Sequence, residues 1–144
     1  MKVLSSGLPV GEVVVNEDTR PFWEGAADGR LVLPRCHRCG TVIWYPRHLC
    51  SNCGSTEADW FEASGRGTVY SFTVVHNGEG AYAEATPYVI AYVELEEGPR
   101  VLTNLIGEPD SWSVGQAVSA VFDRDSDGEQ ALLRFVAAEK QPLK

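Results

Sequence analysis

A chain of 144 residues with a hydrophobic fraction of 44% is one globular domain, or two very small modules sharing a core, and has no apolar run near a membrane span. Its 12 Lys and Arg against 20 Asp and Glu leave a formal net charge of −8. That argues against nucleic acid as the main partner, because phosphate binding needs a dominant basic field. No secretion-type apolar stretch follows Lys2 and no N-x-Ser/Thr sequon occurs, so the expected location is cytoplasmic.

Residues 1–18 read as an arm. Ser5, Ser6, Gly7, Pro9 and Gly11 break regularity, and Val13-Val14-Val15 is too short to specify a strand. Such a segment is either a free terminus or one that orders on a partner. Residues 19–30 predict a helix of two or three turns, capped by Asp18 or Thr19, with Pro21 in its first turn and Glu24 adding charge near its N-terminus. Gly29 ends it. Phe22 and Trp23 are large for so brief a helix and are expected to pack on something.

Residues 31–58 form the most specific stretch. A strand over 30–35 leads into Cys36-His37-Arg38-Cys39-Gly40, a strand over 41–46 follows, and Pro46 turns the chain toward Cys50-Ser51-Asn52-Cys53-Gly54. These two C-x-x-C-G knuckles use all four cysteines. Each knuckle lets two thiolates converge on one ion, with Gly taking backbone angles that other residues resist. Together they predict a rubredoxin-like zinc ribbon with Cys36, Cys39, Cys50 and Cys53 as ligands. Disulfides would need an oxidising compartment, and one redox pair would leave the other knuckle unexplained. Iron uses the same ligand set and is not excluded by the sequence. Four thiolates leave no open coordination position, so the metal is expected to be structural.

No acidic residue falls in 31–56, whereas Arg35, Arg38, Arg47, His37 and His48 do. These cations either offset the net −2 of a zinc tetrathiolate or meet an anionic ligand, and the two readings are compatible. Trp44 and Tyr45 read by default as filler of the small ribbon core.

Residues 59–144 have the pattern of a β protein. Strands are expected from Gly65, over 88–95, over 100–106, over 116–122 and over 130–137, with turns at Glu97-Gly98-Pro99 and Asp125-Ser126-Asp127-Gly128. In the first of these the alternation puts Tyr70, Phe72 and Val74 on one face, and Val69, Thr73 and Val75 on the other. Five short strands with a longer link between the third and fourth fit a small closed OB-fold barrel. The chain is therefore expected to be mostly β: arm, short helix, zinc ribbon, five-stranded barrel.

Two strings carry no function. Gly78-Glu79-Gly80-Ala81-Tyr82-Ala83 matches a dinucleotide fingerprint, but Pro87 arrives before a crossover helix can form. Asp123-x-Asp125-x-Asp127-Gly128 resembles a calcium loop, yet Arg134 stands where the bidentate Glu belongs, and an acidic hairpin turn accounts for it. No catalytic constellation emerges; His76 with Tyr82 and Tyr88 lines a pocket at most, and an exposed loop histidine is the commoner outcome.

The ordered set Pro21-Phe22-Trp23, Gly29-x-Leu31-x-Leu33-x-x-Cys36-x-x-Cys39-Gly40, Pro46-x-x-x-Cys50-x-x-Cys53-Gly54, Gly65-Arg66-Gly67-x-Val69-Tyr70-Ser71, Leu95-Glu96-Glu97-Gly98 and Gly115-x-x-Val118 resembles a known family. It is similar to the zinc-ribbon plus OB-fold proteins associated with acyl-CoA enzymes, long catalogued as a domain of unknown function. The resemblance covers nearly the whole chain and is weakest over 1–18 and 76–86. It implies a non-catalytic accessory subunit or fused domain that docks on a thiolase-like or lipid-transfer-protein-type acyltransferase or aldolase. Some members join MaoC-type hydratases. It further implies a CoA-thioester path shared with the partner, with Arg35, Arg38 and Arg47 as candidates for the CoA phosphates. Phe22, Trp23, Trp44 and Tyr45 would be the first partner-interface candidates, since aromatics carry much interface energy.

Three other functions compete. They are an OB-fold single-stranded nucleic-acid binder, an iron-loaded electron carrier, and a self-standing enzyme acting on CoA thioesters through His76. The charge opposes the first. Redness of the purified protein would mark the second.

Overall fold

In the computed structural model, which describes residues 1–125, 128 and 130–139, a two-stranded ribbon and a short helix sit against a closed barrel. The helix, α1 (Arg20–Ala27), follows Thr19, whose hydroxyl turns back to the Asn16 side chain at 3.1 Å instead of capping the helix. The Asn16 carbonyl accepts the Arg20 N–H at 2.9 Å in its place. Glu24 lies beyond the first turn, which holds no acidic residue, so the expected cap and charge assistance are both corrected. Packing supports this helix instead: Phe22, Gly25 and Ala26 are buried against the core.

The arm is also corrected in part. Residues Lys2–Leu4 form strand β1, which pairs in parallel with a barrel strand, Val3 opposite Phe122. Its three residues are too few to register as a strand in a sequence pattern; an existing edge supplies the ladder. The chain orders on itself here.

The ribbon strands are β2 (Val32–Cys36) and β3 (Ala58–Glu62), antiparallel with Arg35 opposite Asp59. The strand expected over 41–46 reduces to one bridge, Arg35 to Val42. Its side chains are drawn different ways. Val42 enters the main core, Ile43 packs with Cys36 and Cys50, and Trp44 reaches back to the main cluster. The ribbon's second strand is β3, which straddles the expected 58/59 boundary.

The barrel strands are β4 (Arg66–Val75), β5 (Tyr88–Leu95), β6 (Arg100–Leu105), β7 (Ala117–Arg124) and β8 (Ala131–Ala137). Adjacent pairs run β4–β5–β6–β8–β7 and back to β4, which closes the five-stranded OB barrel. The β6–β8 closure is a single parallel pairing, Leu105 to Phe135. Val93, Phe122 and Phe135, each with 0% exposure, mark the centre of the core.

One expectation about β4 fails for a definite reason. Val69 pairs with Val93 but Ser71 pairs with Tyr92, so Tyr70 is the extra residue of a bulge. The bulge resets the alternation: Val69 is buried, Phe72 and Val74 pack on the core, and Tyr70 is thrown outward at 48% exposure. Of the expected turn at 125–128, Ser126 and Asp127 lie outside the described residues. Asp123 is no turn residue; it sits in β7, fully buried, paired with Arg134 at 2.5 Å. Among the described residues no helix is long and apolar enough to cross a membrane.

Candidate functional site

The two knuckles are built alike. In the first, Cys36 N–H donates to the Thr41 carbonyl at 2.8 Å and Gly40 N–H to the Cys36 carbonyl at 2.9 Å. In the second, Cys50 N–H donates to Ser55 at 2.9 Å and Gly54 N–H to Cys50 at 2.9 Å. Gly40 and Gly54 both take φ of 78°, where a Cβ is strained, which is the reason glycine closes each knuckle.

The four Sγ atoms all lie within 4.8 Å of one another, with Cys36–Cys53 at 3.5 Å and Cys39–Cys50 at 3.7 Å. A tetrahedron with Zn–S of about 2.3 Å requires S···S of about 3.8 Å, so the residues present fit the ion. The inner ligands Cys36 and Cys50 are buried and Cys39 and Cys53 face outward. The Thr41 hydroxyl and backbone N–H, with the Asn52 amide, hold the Cys39 thiol down to about 5. At Cys53 the Ser55 backbone bond acts the same way, but burial and the three neighbouring thiols push the group up to about 11. The raised Cys53 thiol beside the lowered Cys39 thiol marks a site too crowded for free thiolates, and a divalent cation at its centre removes that conflict. The site holds structural zinc. No ligand position remains for chemistry.

The three arginines do not form one patch. Arg35 stacks on Phe61 at 4.2 Å beside His37 and Asp59, on one face of the β2–β3 ribbon. Arg47 lies near Trp60, Pro34 and Asp18 on the opposite face, with its Nε bonded to the Tyr45 carbonyl at 3.2 Å. Arg38 is exposed within the first knuckle. The acid-free stretch is also answered from outside: Asp59 meets His37 at 2.9 Å and Asp18 meets His48 at 3.2 Å. The Asp59 hydrogen bond raises the His37 pKa above its usual 6.5.

The four aromatics do come together. Phe22 packs edge-on to Trp23 at 4.8 Å, Trp44 at 5.4 Å and Tyr45 at 6.2 Å. Phe22 itself is only 1% exposed, so it supports the cluster from within and offers no surface. Trp23 and Trp44 are half-buried and Tyr45 is exposed. With Leu102, Leu132 and Asn104 of the barrel they line a groove of about 190 Å³ between ribbon and barrel. Strand β6 contributes a feature that sequence reading missed: Leu102, at 58% exposure, faces out beside its cross-strand partner Tyr92, at 45%. The alternation of β6, with Val101 and Thr103 buried around Leu102, was the signal that would have found it. His76 is exposed on its loop, and the Tyr82 and Tyr88 rings lie tilted against each other at 5.0 Å.

A four-cysteine ribbon packed on an OB barrel defines a two-module architecture without a reactive metal. Residues 23–58 match the family model described as "ChsH2, rubredoxin-like zinc ribbon domain", and residues 60–123 match "ChsH2, C-terminal OB-fold domain". A DUF35 domain-containing scaffold protein of Methanocaldococcus jannaschii is 37% identical over 73% of this chain and 77% of its own. The chain belongs to the DUF35 family.

A probable enoyl-CoA hydratase alpha subunit of Thermomonospora curvata is 43% identical over 88% of this chain, which spans only 40% of that protein's length. The benzoylsuccinyl-CoA thiolase subunit BbsA of Geobacter metallireducens is 39% identical over 58% of this chain and 56% of its own. Among solved structures, a chain of the "Ltp2-ChsH2(DUF35) aldolase" superposes with a TM-score of 0.76 at 38% identity, covering 88% of this chain and 98% of that one.

Proposed function

We propose that the protein is a non-catalytic accessory subunit that docks on a thiolase-like acyltransferase or aldolase and helps form its acyl-CoA substrate path. The observation that carries this is the match to the solved aldolase's DUF35 chain over 98% of that chain's length. The site chemistry agrees, because the zinc is saturated by four thiolates and acts as a staple. The docking surface is the groove walled by Trp23, Trp44 and Tyr45 and extended by Leu102. Half-buried aromatics around a shallow groove are the usual anchors of such interfaces. Arg47 borders this groove through Tyr45, so of the three arginines it is the best placed to meet a CoA phosphate at the shared surface. Arg35, on the other face of the ribbon, would meet phosphates only from that side.

Co-purification of the tagged protein from its native host, with mass spectrometry of what co-elutes, tests this reading. A thiolase-like chain in stoichiometric amount is expected, and elution alone or with nucleic acid would sink the proposal. A second reading, partnership with a MaoC-type hydratase, is favoured by the Thermomonospora hydratase subunit, and a hydratase-like chain in the same experiment selects it.

A further inference from the structure

Between β1 and α1, residues 5–15 belong to no strand or helix, yet side chains of the barrel hold them across its mouth. The Asp123 carboxylate accepts the Ser6 N–H at 2.8 Å and the Ser6 hydroxyl as well. The Pro9 carbonyl accepts from Arg134 Nη2 at 2.6 Å and from the Tyr82 hydroxyl at 3.2 Å. The Gln130 amide brackets Val13: the Val13 N–H donates to Oε1 at 3.0 Å, and Nε2 donates to the Val13 carbonyl at 3.1 Å. Five of these six bonds go to the main chain, as in recognition of an extended peptide. Val10, 8% exposed, is the buried side chain of the segment, Leu8 and Val13 are half-buried, and Val14 is 83% exposed.

Tyr82 lies in the β4–β5 loop and Gln130 in the β7–β8 connection. In OB barrels the corresponding loops, with the adjoining strand face, hold the ligand. The reading groups are prepared in advance: Arg134 is 1% exposed and fixed by Asp123 and by Asn104 Oδ1 at 3.1 Å. An arginine aimed at a carbonyl from a buried network recognises backbone without regard to side chains.

We propose that the mouth of this barrel is a peptide-backbone-binding site, filled in cis by the chain's own residues 5–13, and that this strap opens while the barrel stays folded. The strap rests on side-chain bonds and one buried valine, whereas β4–β5, β5–β6 and β7–β8 share long backbone ladders, so its opening costs only part of global unfolding.

Hydrogen exchange of the full-length protein, read residue by residue, tests the opening. The Ser6 and Val13 amides are expected to be protected at least about tenfold over an unstructured chain, yet to exchange about a hundredfold faster than the β5 amides. Exchange in step with β5, or with no protection, overturns the proposal. The site itself is tested in the full-length chain carrying Ser6→Asp and Val10→Asp, which set a carboxylate against Asp123 and another at the buried Val10 position, leaving the barrel residues untouched. A labelled peptide of residues 2–15 with the native sequence is expected to bind this chain and not the wild type, whose strap competes at high effective concentration. Adding Gln130→Ala should weaken that binding about tenfold or more. Equal binding to both chains, no binding to the folded variant, or indifference to Gln130 overturns it.

Discussion

The indole N–H of Trp23 donates to the hydroxyl of Tyr45 at 3.1 Å, joining α1 to the segment between the two metal knuckles. Both rings also lean on the buried Phe22. The helix, the ribbon and the groove wall are thereby one unit, and surface changes at this point separate docking from folding.

Leu102→Asp is the sharpest such change. At 58% exposure the side chain contributes little to the core, so the denaturation midpoint should move by no more than about 0.5 kcal/mol in stability. Binding to the enzyme partner should fall by tenfold or more, as should binding by Trp44→Ala, read by calorimetric titration. Phe22→Ala behaves oppositely: it opens the core, with an expected loss of about 3–5 kcal/mol in urea melts.

Removing the metal should dismantle the ribbon and spare the barrel. Elemental analysis is expected to return one zinc and no stoichiometric iron per chain, and the protein should be colourless. Cys50→Ser removes an inner ligand that packs with Ile43 and Cys36. It should abolish zinc retention and the near-ultraviolet signal of Trp44 while strand amides of β5 stay protected from exchange. A red protein would overturn the zinc assignment.

The buried pair Asp123–Arg134 should be expensive to break from either side. Asp123→Asn or Arg134→Met leaves one partner uncompensated in a site at most 1% exposed, with an expected loss of about 3–5 kcal/mol in stability. The double variant Asp123→Asn/Arg134→Met should recover part of that loss in a thermodynamic cycle. Strictly additive losses would show that the two residues do not act as a pair.

Glu96 carries the clearest acid dependence. The Ser64 hydroxyl at 2.8 Å and then Arg66 at 2.9 Å hold its carboxyl below the usual 4.5. Because its folded pKa is depressed, the stabilisation is complete above 4.5 and fades as pH falls through the lower folded value. Carbon-detected titration should place the Glu96 midpoint below 4.5, and Arg66→Met should move it upward.

The metal ligands and the barrel were legible because each rests on a local rule. Two C-x-x-C-G knuckles determine ligand type, number and turn geometry within a few residues of each sulfur, and alternation with Gly and Pro punctuation located β5 to β8 within about two residues of their ends. Phe22 and Trp23 were foreseeable as aromatics too large for a brief helix, whereas Trp44 and Tyr45, expected as filler of the ribbon core, turn to the main cluster and to the surface instead. The split of Arg35 from Arg47 was not, since which face of a ribbon a residue takes depends on the register of β3, a strand that the sequence pattern left undivided.

What the amino-acid sequence determined by itself was thus a zinc ribbon and a five-stranded barrel, both of them consequences of short-range spacing. Tertiary structure alone decided the rest. It threw Tyr70 outward through a bulge, paired Asp123 with Arg134 inside β7 and β8, and drew residues 2–4 and 5–13 onto the barrel over a separation of more than a hundred residues. Those outcomes depend on which distant groups remain unsatisfied once the barrel closes: an open strand edge, a buried guanidinium, a free amide. No local pattern encodes that, because the partner exists only after the fold does.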